Sequence, residues 1–197
     1  MPTDEDRCPW CHGDDLYRDY HDNEWGNPEL DPNRLFEFLI LEGAQAGLAW
    51  ITVLRKRQGF REAFDQFSPE KVASYTSRDI NRLMKDNGIV RNQLKIKSAI
   101  NNARCFLVQE ETVGFSQWIW SFVDHRVIIN DPKTSDQIPA ITPEAEQMSR
   151  EMKRAGFSFV GPTICYAFMQ ATGMVNDHLT SCHRHDACVA LAKEAGL

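Results

Sequence analysis

The sequence predicts an all-α protein, on three observations. Apolar residues recur at helical spacing between Ser, Thr or Asp caps and Gly stops. One short stretch alone, "RVIIN" at 126–130, has the β-branched run of a strand. No repeat, low-complexity segment or Ser/Gly linker divides the 197 residues, so the length suits one medium domain or two small ones sharing a core.

The elements follow in order. "DPNRLFEFLILEGAQAGLAWITVLRKR" opens with Asp31 as cap and Pro32 at the first helical position, and Gly43 and Gly47 are expected to break it into two helices. "SPEKVASY" and "TSRDINRLMKD" each begin with a hydroxyl cap. In "RLMKDNGIVRNQLKIKSAINNARCFL" a helix is expected to end at Gly88. A short apolar turn, Ile89 and Val90, then leads to a second helix carrying Lys95, Ile96, Ala99, Ile100 and Ala103. The turn's N–H groups and the next helix's N-terminus could hold a DNA phosphate, with Lys95 and Lys97 adding charge. An ordinary helix pair with a glycine cap is the plainer alternative. "TPEAEQMSREMKRAG" reads as a complete helix, with Thr142 as cap, Pro143 in the first turn, basic residues in the last and Gly156 beyond it.

Hydrophobic residues make up 42% and charged residues 25%, the balance of an ordinary globular protein. No apolar run is long enough to cross a membrane, and "MPTDEDRCPW" lacks the apolar core of a secretory signal, so a cytoplasmic location is expected. The six cysteines then read as thiols, metal ligands or packing residues, with Cys105 and Cys165 in the core. A net charge of −6 weighs mildly against nucleic acid, but "RKR" at 55–57 and "RNQLKIK" at 91–97 leave room for a local basic surface.

Two groups of residues carry chemistry. Cys8, Cys11, His12 and His21 lie near one end, and His178, Cys182, His183, His185 and Cys188 near the other. His178 and Cys182, four apart, would share one face of a helix. A Cys₂His₂ set drawn from both ends would close a very long loop and, with four ligands, leave no position for water. The Cys8/Cys11 C-x-x-C pair keeps a cysteine-rich alternative open. The second group is aromatic: Tyr17, Tyr20, His21, Glu24 and Trp25 in "LYRDYHDNEWG", Glu42, Gln45 and Trp50 in "LILEGAQAGLAW", and Trp10 in "CPWC". Glu42 interrupts an apolar run, where burial without a partner is costly. It is either a solvated helix residue or the single anionic acceptor of a pocket with π-faces. Such a pocket suits a flat cationic or electron-poor ring.

"YHDNEWG", "LEGAQAGLAWITVLRKR" and "FVGPTICYAFMQATGMVNDH", with the early Cys8, resemble the 3-methyladenine DNA glycosylase I family, an all-α branch of the helix-hairpin-helix glycosylases. The resemblance runs from about Cys8 to Cys182. It implies a helical domain at 34–140 with the helix-hairpin-helix, and a zinc lobe built from both termini, 1–33 and 141–197. Carried over by residue, it assigns one structural Zn²⁺ to Cys8, His21, His178 and Cys182. It gives the catalytic position to Glu42 and the base pocket to Tyr20 and Trp50, with Trp10, Tyr17 and Trp25 as further walls. Gly47 and Leu48 fall where the flipped nucleotide leaves its space, Leu48 being the wedge; Gly88, Val90 and Lys95 fall on the DNA. The implied activity is hydrolysis of the N-glycosidic bond of 3-methyladenine in double-stranded DNA, without a lyase step, by a monomer with no membrane contact. Two departures stand out. The hairpin "NGIVRNQLKI" has no second glycine after Arg91, and "CFLVQEETVGF" offers Glu110 and Glu111 but no Asp to stabilise a sugar cation. The family is understood to lack that Asp as well.

Overall fold

The computed structural model describes residues 2–197. Its eleven α-helices are α1 (Asp15–Asn23), α2 (Pro32–Gln45), α3 (Trp50–Leu54), α4 (Arg57–Ala63), α5 (Pro69–Ala73), α6 (Ser77–Leu83), α7 (Gln93–Thr112), α8 (Phe115–Trp120), α9 (Pro143–Arg154), α10 (Pro162–Ala171) and α11 (His183–Ala195). The single departure from all-α is a two-residue parallel bridge, β1 (Ile128–Ile129) with β2 (Val175–Asn176); β1 falls in "RVIIN" as expected, and sequence reading missed its partner strand. None of the described helices is long and apolar enough to cross a membrane.

The caps expected at Asp31 and Thr142 are in place: Asp31 accepts from the Asn33 and Arg34 N–H groups, and Thr142 from that of Ala145. α2 is the central rod. Every residue from Leu35 to Ala44 is buried, as befits a helix that is apolar nearly all round. It packs against α3, α7, α8 and α10. One continuous apolar cluster takes in Leu35, Phe60, Ile96, Met148 and Phe168, so the two expected lobes share a core.

Two boundaries differ from expectation. Gly43 does not break α2: it is buried in mid-helix, where the packing of the rod outweighs glycine's weak helix propensity. The break comes at Gly47, whose φ of +77° is left-handed backbone. The helix before the hairpin ends at Leu83, not at Gly88. There the Asp86 carboxylate accepts from the Gly88 N–H at 2.7 Å, a local turn that competes with further helix. α7 restarts on Asn92, whose side chain accepts from the Leu94 and Lys95 N–H groups.

Candidate base pocket and metal centre

α2 carries two buried acids, and their surroundings are opposite. Glu37 meets three arginines: Arg57 Nε at 2.7 Å, Arg61 Nη2 at 2.8 Å and Arg34 Nη1 at 3.0 Å. Burial alone would raise its carboxyl, but the guanidinium groups win and hold it below its ordinary value. Glu24, expected among the pocket residues, belongs to this network instead, 2.7 Å from Arg57 Nη1. Glu42 is 4% exposed and has no hydrogen-bond or ion-pair partner among the described residues. Burial, with nothing to oppose it, pushes it up to about 8.

Glu42 faces a cavity of about 400 Å³. Trp10, Tyr17, Tyr20, Trp25 and Trp50 line it, all five aromatic residues that the sequence singled out. The rings interlock: Trp10 lies edge to face with Trp25 at 5.1 Å and with Tyr17 at 5.5 Å, and Tyr20 is tilted against Trp50 at 5.4 Å. The Tyr17 hydroxyl accepts from the Ile51 N–H at 3.0 Å, so the α1 wall is tied to the start of α3. Burial holds the Tyr20 phenol well above its ordinary range. The Trp50 indole N–H is buried without an acceptor. The pocket thus holds an unpartnered acid and an unpartnered donor between π-faces, an arrangement completed by a flat, polar-edged ring. A second cavity of about 440 Å³, lined by Asn130, Pro139, Tyr166 and Asp177 among others, lacks this aromatic box. Sequence reading missed Ser135, Ile138, Ala167 and Gln170, which also line the aromatic cavity. They come from the β1–α9 connection and α10, far along the chain from the other walls.

Cys8, His21, His178 and Cys182 are all buried, with one ligand atom of each lying within 4.8 Å of the others. Cys182 Sγ is 3.4 Å from His21 Nε2 and 3.5 Å from His178 Nδ1, and Cys8 Sγ is 3.6 Å from His178 Nδ1. The remaining ring nitrogens are held from outside, His21 Nδ1 by Asp22 at 2.8 Å and His178 Nε2 by the Trp25 carbonyl at 3.1 Å. Such partners fix which nitrogen faces a metal. Cys11 is turned away, its thiol donating to the Cys8 carbonyl at 3.1 Å, and it does not join the cluster. Cys188 and His185 point to Asn27 and Asn130. The i, i+4 spacing of His178 and Cys182 suggests one helix face, but neither residue lies in a helix. β2 delivers an extended chain that turns before α11, and Cys182 is the N-cap, its sulfur accepting from the Arg184 N–H. Gly26 makes room for the cluster: a Cβ there would come within 2.9 Å of His178 Nε2, on backbone already at φ +81°. Of the other cysteines, Cys165 is buried as expected and Cys105 only half-buried. Pocket and cluster share a wall, since Trp25 stands 4.5 Å from His178 and Trp10 stands 5.3 Å from His21.

The expected DNA face is rearranged. Leu48, 40% exposed, projects just past Gly47. Lys95 does not extend into solvent; its Nζ donates to the carbonyls of Ala44 and Ala46, at 2.8 and 2.6 Å, and so caps the end of α2 beside Leu48. The Gly88 N–H is taken by Asp86. Val90, in the connection between α6 and α7, is half-buried. Much of the basic charge is also neutralised internally: Arg55 pairs with Asp14, Arg57 with Glu24 and Glu37, and Lys56 donates to the Asn87 carbonyl.

Comparison with known proteins agrees with this architecture. Residues 10–185 match the methyladenine glycosylase family. The chain is 48% identical over 177 residues to the DNA-3-methyladenine glycosylase of Haemophilus influenzae, covering 89% of this chain and 96% of that protein. It is 49% identical over 178 residues to DNA-3-methyladenine glycosylase 1 of Escherichia coli, covering 90% and 95%. A crystal structure of a 3-methyladenine DNA glycosylase I superposes with a TM-score of 0.89 at 48% identity, over 91% of this chain and 99% of that one. A variant of such an enzyme in complex with 3-methyladenine superposes with a TM-score of 0.88 at 34% identity, over 93% and 98%. The chain belongs to the methyladenine glycosylase family.

Proposed function

We infer that this protein is a DNA repair glycosylase that excises 3-methyladenine from alkylated double-stranded DNA by hydrolysing the N-glycosidic bond. The observation that carries the reading is the aromatic cavity with Glu42 as its one unpartnered acid. A purine fits between such faces, and its exocyclic N–H groups supply the donors that a carboxylate requires. The complex of a relative with 3-methyladenine supports the choice of base.

The sugar bond is out of reach inside the stack, so the nucleotide is flipped into the cavity. Leu48, exposed on the Gly47 turn, fills the vacated space. The hairpin between α6 and α7 meets the backbone through Val90, while Gly88 and Lys95 hold the hairpin and the wedge loop in shape. Methylation at N3 makes the base cationic in DNA, so it departs neutral and needs no acid at the leaving group. Glu42 stabilises the bound base. As N–H donors approach, the ionised form is favoured over the protonated one. The proposed reaction ends at base release, without a lyase step.

The Cys8–His21–His178–Cys182 cluster fits zinc, with two sulfur and two imidazole donors, buried, and oriented by Asp22 and the Trp25 carbonyl. Zinc there would supply a cross-link rather than chemistry, because four protein ligands saturate it. The cluster's part in the reaction is to position Trp10 and Trp25. Chromatography of bases released from methylated duplex DNA tests the function. Free 3-methyladenine is the expected product, and no base released from the methylated duplex after stoichiometric enzyme would refute the reading.

A further inference from the structure

Gln170 reaches the base pocket from α10; it lies within the family-like stretch "FVGPTICYAFMQATGMVNDH", but the resemblance assigns it no role. Its Nε2 donates to Asp177 Oδ2 at 2.7 Å. Asp177 is 1% exposed and also receives the Tyr166 hydroxyl at 2.5 Å and Asn130 Nδ2 at 2.7 Å. Three donors converging on one carboxyl leave it purely an acceptor, so the amide of Gln170 must turn its NH₂ toward Asp177. Its Oε1 is the other half of a planar group and has no donor among the described residues. The geometry points to Gln170 as a specificity-determining residue, locked by Asp177 so that its carbonyl oxygen serves the pocket as a fixed acceptor for the adenine exocyclic amine and repels a guanine carbonyl at the same edge.

This rests on the base-pocket reading above and deepens it. An exocyclic amine offers two N–H groups, enough for a second acceptor beside Glu42. Glu42 also cannot reject guanine by itself. Burial keeps its carboxyl protonated up to about 8 in the free pocket, and a protonated carboxyl can donate to a guanine oxygen as readily as a carboxylate accepts from an adenine amine. Gln170 has no such choice, because turning its amide over would set its carbonyl against the Asp177 carboxylate. Asp177 acts through Gln170 and is a positioning residue.

The test is single-turnover release of 3-methyladenine and of 3-methylguanine from the same methylated duplex, by wild type, Gln170→Met, Asp177→Asn and the double variant. Met keeps the length and removes the acceptor; Asn at 177 can offer its own NH₂ and lets the Gln170 amide turn over. Loss of one fixed acceptor should lower the 3-methyladenine to 3-methylguanine rate ratio about five- to tenfold in each single variant. The double variant should lose no more, since both changes remove one device. A role in folding alone would lower both rates by the same factor, and an unchanged ratio in Gln170→Met overturns the proposal whatever the absolute rates. A wild-type protein that releases neither base fails at the earlier step, the pocket assignment itself.

Discussion

Glu37 and Glu42 lie five positions apart on one buried helix, and their contrast locates the site. The sequence shows both acids in the same apolar run but cannot show that Arg57 and Arg61 fold back onto the first and nothing onto the second. That isolation gives Glu42 two measurable signatures. Glu42→Gln keeps the shape and replaces an acceptor with a donor. Single-turnover excision of 3-methyladenine should fall roughly 10- to 100-fold, the effect of losing a charged or mismatched buried hydrogen bond of about 1–3 kcal/mol. Near-wild-type excision would return Glu42 to a structural role. The second signature is in stability. The folded carboxyl titrates at about 8, above its ordinary 4.5, so between those values the native state holds a proton that the unfolded chain has released. Stability therefore falls as pH rises through this window, by up to roughly 5 kcal/mol. Glu42→Gln removes the penalty. Its melting temperature should exceed wild type at pH 9 and match it at pH 4, and a difference independent of pH would show that the carboxylate ionises freely in the empty pocket.

At the level of elements, polar caps were legible and tertiary overrides were not. Asp31 and Thr142 announce their helices because capping is local. Gly43 misleads because neighbouring helices stabilise the rod around it, and the end of α6 misleads because one Asp86 side chain competes with the helix. Lys95 shows the same limit, since a lysine beside a hairpin reads as a phosphate contact while its partners are carbonyls some fifty residues upstream. Lys95→Met should strand those carbonyls, lower stability by about 1–2 kcal/mol and loosen the Leu48 loop. Excision from duplex should weaken with little change in its salt dependence; a drop of about one in the salt slope would put Lys95 on a phosphate after all. Leu48→Ala should also weaken excision from duplex, yet leave binding of free 3-methyladenine unchanged. Equal losses in both assays would make Leu48 part of the pocket.

Across the whole molecule, the metal ligands could be enumerated from the sequence as nine candidates but not reduced to four without the family resemblance, because pairs so far apart leave no spacing pattern. The fold brings Cys8, His21, His178 and Cys182 together, while Cys11 turns to a carbonyl and Cys188 toward Asn27. Cys182→Ala or His178→Ala should lower metal content and thermal stability together, by about 4 kcal/mol if the cross-link acts through loop closure. Full zinc occupancy in Cys182→Ala would remove that residue from the set. The clasp also constrains how the protein is made. His21 and Cys182 are 161 residues apart, so a ribosome working at about 5–20 residues per second leaves the Cys8–His21 half without its complement for roughly 8–30 s. During that interval the nascent chain carries the Cys8–Cys11 pair, open to oxidants and stray metal ions, and only late in synthesis does its counterpart emerge to enclose it.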